Sequence, residues 1–306
     1  MRRLLLWMAR NAWLRERIPR LPFVTRALHR FMPGEDVGAA LREAVRFRNE
    51  GIKTLFTRLG ENLVEIVEAD AVAEHYLELL DQLRVQGIPG ELSVKLTQLG
   101  FDLDETRTEE HMGRLVQHAA RDGGTVWIDM EGSRYTDRTI ALYERLKARH
   151  ANVGLCLQAY LRRTAADVQR LLLVEPSIRL VKGAYDEPAT IAYRSRKAVD
   201  ANYGAIAVAL LEATAAGRRV RIGLGTHDLR LINQIATRAT ALGLGHDAFE
   251  VQMLYGIRVD QQRRLAAEGY PVRDLIAYGP GWYAWYMRRL AERPANVLFA
   301  LRQIVG

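Results

Sequence analysis

Arg179-Leu180-Val181-Lys182-Gly183-Ala184-Tyr185 packs a short apolar run, two cations, a glycine and an aromatic into seven positions. As a strand, it sends Arg179 and Val181 to one face and Leu180 and Lys182 to the other. A strand buried on both sides does not carry uncompensated cations, because each buried charge costs several kcal/mol. The stretch therefore predicts an anionic partner or a solvent edge. Gly183 lets a ligand approach the backbone, and Tyr185 is placed to cover it. Taken alone, the same residues equally suit an ordinary strand end with snorkelling side chains. The chain on either side decides between the two.

Outward from this point the sequence is rhythmic. Short β-prone runs occur at Ile52–Thr57, Glu91–Leu96, Thr125–Met130, Val153–Gln158, Ile178–Lys182, Val220–Leu224, Ala248–Met253 and Val272–Ala277. Helix-period stretches such as Ala71–Leu83, Glu109–Arg121, Asp137–Arg149 and Ala198–Ala216 lie between them. Alternation at this spacing predicts a parallel sheet with crossover helices, and eight such units match a (β/α)8 barrel. No Gly-x-Gly-x-x-Gly turn follows the first strand, which disfavours a dinucleotide-type Rossmann opening. Residues 1–50 read as helical, broken at Pro19, Pro22, Pro33 and Gly34. The expected division is an N-terminal helical segment, 1–45, and a barrel domain, 46–306.

At 306 residues and 34.7 kDa, with about half the residues apolar, the chain has enough material for one large core. Its formal charge of +8 suits anionic ligands or surfaces. The arginines are scattered through helices and no nucleic-acid motif is present, so solvated helix faces are the expected use of most of them. Cys156, the only cysteine, sits in an apolar run and reads as a small buried hydrophobe. No Cys/His spacing suggests a metal site. The start, Met1 to Arg10, imitates a secretory signal, but its apolar run is too short and is broken by arginines. A basic amphipathic helix bearing Trp7 and Trp13 suits a membrane surface, although packing on the main domain is the expected role. The expected location is cytoplasmic, with peripheral contact on the inner face of the cytoplasmic membrane as the alternative.

In such barrels the chemistry lies at the C-terminal ends of the strands. Lys95 ends the second run, Asp129 and Glu131 the third, and Gln158 with Tyr160 the fourth. Arg179, Lys182, Gly183 and Tyr185 end the fifth, Thr226-His227-Asp228 the sixth, and Gln252 with Tyr255-Gly256 the seventh. Any one of these is more often a satisfied polar residue than a functional one. Their coincidence at one rim predicts a site. The last helix adds Arg288 and Arg289, a pair able to clamp a carboxylate bidentately, with Glu292 within helical reach of both; taken alone, the segment better suits a salt-bridged surface helix.

These blocks carry a resemblance. Ser93-Val94-Lys95-Leu96-Thr97-Gln98-Leu99-Gly100, Trp127-Ile128-Asp129-Met130-Glu131 and Arg179 to Tyr185 resemble signature blocks of proline dehydrogenase. So do Gly225-Thr226-His227-Asp228, Glu250 to Gly256, and Arg288 to Arg293. The likeness runs in order over roughly residues 40–305, and is closest to the small monofunctional bacterial type. It implies a distorted (β/α)8 barrel with extra N-terminal helices, non-covalent FAD, and a C-terminal helix over the active site. The implied reaction is oxidation of L-proline to Δ1-pyrroline-5-carboxylate, by hydride transfer from C5 to the flavin N5, with electrons passed on to a membrane quinone.

The resemblance also implies roles. Arg288 and Arg289 bind the substrate carboxylate, with Lys95 beside it. Asp129 orients Lys95 and shapes the ring pocket, and Leu254 lines its apolar side. Arg179 sits near the flavin N5 and pyrimidine edge. Gln158, Met130 and Gln252 also face the cofactor, and Lys182, Gly183, Ala184, Thr226 and His227 hold its ribityl and pyrophosphate. Glu61 matches a glutamate that pairs with an active-site arginine as a gate; a plain helix-start residue is the alternative. Two positions depart from the pattern: Leu275 stands where the family has a tyrosine that would bond Asp129, and Trp285 where a tyrosine is common. Leu275 leaves 4-hydroxyproline or another cyclic imino acid open beside L-proline. Two readings of other classes also remain: a flavin-free barrel lyase with Lys95 or Lys182 as a Schiff base, and a membrane-surface protein without turnover.

Overall fold

Eight parallel strands close into a barrel in the computed structural model, each hydrogen-bonded to its neighbours in sequence order, with β8 returning to β1. The structure describes Asn11, Arg17, residues 31–60 and residues 63–283. A helix, α1 (Val37–Asn49), precedes β1 (Lys53–Arg58); then follow α2 (Ile66–Val85), β2 (Leu92–Val94), α3 (Glu105–Ala120) and β3 (Val126–Ile128). The chain continues through α4 (Thr136–Lys147), β4 (Val153–Gln158), α5 (Thr164–Leu171), β5 (Ser177–Val181) and α6 (Arg196–Ala215). It closes with β6 (Arg221–Gly225), α7 (Leu229–Ala241), β7 (Glu250–Leu254), α8 (Val259–Ala267) and β8 (Val272–Tyr278). The (β/α)8 expectation is met.

Local chemistry starts the helices. Asp36 Oδ1 accepts from Ala39 N–H at 2.9 Å to open α1, Asp104 does the same for Arg107 N–H in α3, and Ser195 for Ala198 N–H in α6. Outward-facing strand residues and the apolar faces of the helices share one contiguous core, into which α1 contributes Ala40, Ala44 and Phe47. Trp282 Nε1 donates to Glu35 Oε1 at 2.8 Å, tying the segment after β8 to the entry of α1. Among the described residues no helix is long and apolar enough to cross a membrane.

Two strands are shorter than their apolar runs. β2 ends at Val94 because a 3-10 turn, Leu96–Leu99, starts directly after Lys95 and closes on Gly100 at φ +98°. β3 spans only Val126–Ile128, so Met130 is apolar and buried yet lies beyond the ladder. Apolar runs report burial, and burial continues past the last strand hydrogen bond.

Inside the barrel the side chains form layers. The lower one is ionic: Arg221 meets Glu91 at 2.9 Å and Glu250 at 3.0 Å, and Arg273 meets Glu91 at 3.0 Å and Glu250 at 3.3 Å. Trp127 Nε1 donates to Glu91 at 3.0 Å, and the ring lies under both Arg179 and Arg221. Gly154 makes room for that ring, since a Cβ there would come within 2.4 Å of it. Two carboxylates matched to two guanidiniums make a floor without net charge, buried except at Arg221.

Candidate active site

The next layer up gathers three residues singled out at strand ends. Arg179, 4% exposed on β5, points into the barrel. Its Nη2 donates to Ser93 Oγ at 2.8 Å and to Asp129 Oδ1, and Ser93 Oγ–H donates to the same carboxylate oxygen at 2.7 Å. Lys95 Nζ stands 3.9 Å from Asp129 Oδ2. Burial works most strongly against the charge on Arg179, but Asp129, Cys156 and Glu250 together outweigh it and hold the guanidinium above its ordinary pKa. Beneath it lies Cys156, whose thiol burial pushes up, consistent with a packed hydrophobe. Gln252 Oε1 accepts from Arg179 Nη1 at 3.5 Å, while its amide nitrogen donates to Glu250. Gln252 thus connects the site to the ionic floor.

Strand register explains the grouping. Ser93 pairs with Trp127, Cys156 with Arg179, and Arg179 with Gly223, so these residues share the inward face. Ser93 was missed by inspection of strand ends. Its signal was its position two residues before Lys95, on the same face of one strand. Glu131 extends the group: it accepts from Thr97 N–H at 3.2 Å and Thr97 Oγ–H at 2.8 Å, and burial pushes its carboxyl up. That bond fixes the turn entered by Lys95.

One wall of the mouth is apolar. Leu254 pairs in register with Leu275, which pairs with Leu55. Leu275 therefore faces the interior, and the hydroxyl absent there leaves Asp129 to Ser93, Arg179 and Lys95.

The other predicted residues are placed as follows. Gln158 uses its amide twice, donating to Glu131 O at 2.9 Å and accepting from Ala184 N–H at 3.3 Å, so it straps the end of β3 to the loop after β5. Lys182 alternates to the outer side of β5, where Nζ meets Asp200 at 2.5 Å and Asp228 at 2.9 Å. Thr226 Oγ1 accepts from Asp228 N–H at 3.1 Å, and His227 Nε2 accepts from Leu254 N–H at 3.4 Å. Gly183 adopts φ +122°, and a Cβ there would fall 2.1 Å from the Tyr160 ring. Its close approach is thus to Tyr160, and Tyr185 lies 37% exposed at the rim. Glu61, Trp285, Arg288, Arg289 and Glu292 lie outside the described residues.

A groove of about 490 Å³ runs along this rim, lined by Tyr160, Lys182 to Glu187, Tyr193, Arg194 and Arg196, among others. Lys182, Arg194 and Arg196 along it are matched by the carboxylates of Asp186, Glu187 and Asp200, so its charge is balanced, and Lys182 and Arg196 also pair with Asp228.

Comparison with known proteins gives these features a context. The family model described as proline dehydrogenase matches residues 40–302. The proline dehydrogenase of Deinococcus radiodurans is 36% identical over 278 residues, covering 89% of this chain and 88% of that protein. Proline dehydrogenase 1 of Bacillus subtilis strain 168 is 33% identical over 277 residues, covering 90% of each. Among solved structures, proline utilization A (PutA) from Bdellovibrio bacteriovorus, inactivated by N-propargylglycine, superposes with a TM-score of 0.80 at 25% identity over 88% of this chain. A Bradyrhizobium japonicum PutA gives 0.73 at 20% identity and shares the fold. This chain spans about a third of either PutA chain, 33% and 31%. Likeness of that extent and order, on the barrel the strand rhythm predicted, places the chain in the proline dehydrogenase family.

Proposed function

We propose that the protein oxidises L-proline to Δ1-pyrroline-5-carboxylate with non-covalently bound FAD, and passes the electrons to a quinone in proline catabolism. The observation that carries this reading is the Lys95–Asp129–Arg179 cluster, with Arg179 buried and Lys95 and Asp129 partly buried, on the inward side of the barrel that Leu254, Leu275 and Leu55 also face. A cation beside an apolar wall is the complement of a small ring bearing a carboxylate.

The residues present fit FAD. The rim groove presents Lys182, Arg194 and Arg196 for a pyrophosphate, beside the backbone of Gly183 and Ala184, and Thr226 and His227 would complete the contact from the end of β6. Arg179 is the buried cation on the barrel side, where Met130, Gln158 and Gln252 would complete the contact with the ring system. Bound there, FAD supplies the two-electron acceptor for the hydride that leaves the substrate.

The chain's own part is positioning and electrostatics. Lys95 attracts the carboxylate, and Asp129 holds Lys95 and Arg179 in fixed relation. Orientation of this kind is a large share of the barrier reduction available. The Arg179 guanidinium, pre-placed and buried, favours negative charge arriving at its face during reduction. Arg288 and Arg289 would complete the carboxylate clamp, and Glu61 with Glu292 the ion pairs that close the site. The N-terminal segment would supply peripheral contact with the membrane that holds the quinone. Liposome pelleting of the full chain and of a form lacking Met1–Arg30 tests that contact; equal partitioning would sink it.

Leu275 favours one second reading within the same chemistry. A leucine in the wall widens the acceptable substrates toward 4-hydroxyproline or another cyclic imino acid. Turnover of L-proline with a soluble quinone analogue, with the product trapped as an adduct, is the direct assay. The expected result is product formation in proportion to bound flavin, and a loss of about 10²–10³-fold in kcat for Arg179→Met. Flavin-loaded protein that turns over no cyclic imino acid would overturn the reading.

A further inference from the structure

Asp274 has no part in the site described so far. On β8, Arg273 and Leu275 point into the barrel, so Asp274 points outward, into the layer beneath α1 and α8. It is fully buried, and neither carboxyl oxygen has a hydrogen-bond partner among the described residues. Beside it is Gln262 of α8, also fully buried, whose Nε2 donates to Leu254 O at 3.3 Å and Ile257 O at 3.1 Å. Those two bonds fix the orientation of the amide and leave Gln262 Oε1 without a donor. Acceptors therefore stand together in a buried layer. The other ionisable groups around Asp274 are Glu43 and Arg46 of α1 and Tyr255 of the turn after β7. Arg46 is already paired with Glu43 at 2.5 Å and Glu50 at 3.7 Å. Across the ladder the register neighbour is Thr54, which carries no charge. Among the described residues no cation beyond the already paired Arg46 is left to balance an ionised Asp274, and an unpaired buried carboxylate is too costly to hold.

We propose that Asp274 is a positioning residue: it keeps its proton, donates it to Gln262 Oε1, and through Gln262 holds the β7–α8 turn that carries Leu254. Burial pushes the carboxyl up to about 8, against the smaller opposing effects of the Gln262 amide and Arg46. Protonated, it completes a chain from β8 through α8 to the carbonyl of Leu254. Ionised, it sets a negative charge against Gln262 Oε1 and removes the one donor available to it among the described residues. The consequence for substrate binding rests on the reading of Leu254 as the pocket wall.

Two variants and two readouts test this. Asp274→Asn supplies a donor that does not titrate; Asp274→Leu removes it. Amide hydrogen exchange of residues 254–257, corrected for the intrinsic pH effect, is followed from about pH 6 to pH 9. The parent should match Asp274→Asn at pH 6 and exchange at least about five-fold faster at pH 9, with Asp274→Leu fast throughout. Parent and Asp274→Asn indistinguishable across the range would overturn the proposal. In steady state, the KM for L-proline should rise above pH 8 in the parent by about three-fold relative to Asp274→Asn, with kcat little changed. Identical KM profiles would remove Asp274 from pocket positioning. A parent with no turnover of any imino acid counts against the proposed function, while the exchange experiment still decides the hydrogen-bond chain.

Discussion

Ser93 Oγ stands between Arg179 and Asp129, donating to one and accepting from the other. Removing it leaves the ion pair with a missing contact on each side. Hydrogen bonds to charged groups contribute about 1.5–3 kcal/mol, so Ser93→Ala should lower kcat/KM by roughly ten-fold or more at nearly unchanged fold. Unaltered kinetics in that variant would mean that Asp129 alone sets the Arg179 geometry. Asp274 makes a second residue-scale prediction, and its sign is opposite to the usual carboxylate. Its folded pKa, about 8, lies above the ordinary value of 3.8, so its contribution to stability is complete below pH 4 and is lost as pH rises toward 8. Relative to Asp274→Asn, the parent Tm should fall over that window; a constant difference would contradict it. Lys95, Asp129 and Arg179 were legible in the sequence because charges at the ends of apolar runs need a partner. Ser93, Gln262 and Asp274 were not, because their meaning depends on register and on which face a strand residue takes.

Among the elements, the loop after β5 does the most to shape the rim. Glu187 accepts from Ser133 N–H at 2.7 Å and Ser133 Oγ–H at 2.6 Å, which ties this loop to the one after β3, over the Gln158 strap. Gly183 turns the chain at positive φ with the Tyr160 ring filling the space of a side chain. Gly183→Ala adds backbone strain and a clash together, each on the order of 1–3 kcal/mol, so weakened flavin retention with a lower Tm is expected. Full retention at the parent Tm would show that the loop can re-route. The rim also titrates: burial opposes the charge of Asp228, but Lys182 overcomes it and holds the carboxyl near 2. This contribution is present above pH 4 and lost as pH falls toward 2, and Asp228→Asn should flatten acid unfolding in that range. The strand order was legible from alternation alone. The ends of β2 and β3 were not, because Leu96 and Met130 are buried by packing beyond the ladder.

At the scale of the whole molecule, the barrel is a neutral ionic floor, a charged middle layer and a mouth with one apolar wall. Truncating Glu91 to alanine would strand the buried Arg273 guanidinium and the partly exposed Arg221 on Glu250, a loss of about 3–5 kcal/mol seen in chemical unfolding. A loss below about 1 kcal/mol would show that the floor is solvated or redundant. At the mouth, Leu275→Tyr should raise kcat/KM for L-proline relative to 4-hydroxyproline by restoring a hydroxyl near Asp129; no gain would detach Leu275 from specificity. The most direct test of the central claim is an anaerobic visible spectrum of the purified protein, recorded before and after L-proline is added. Oxidised flavin bands that bleach on addition are the predicted result. No flavin in the purified protein and none taken up from added FAD would contradict it.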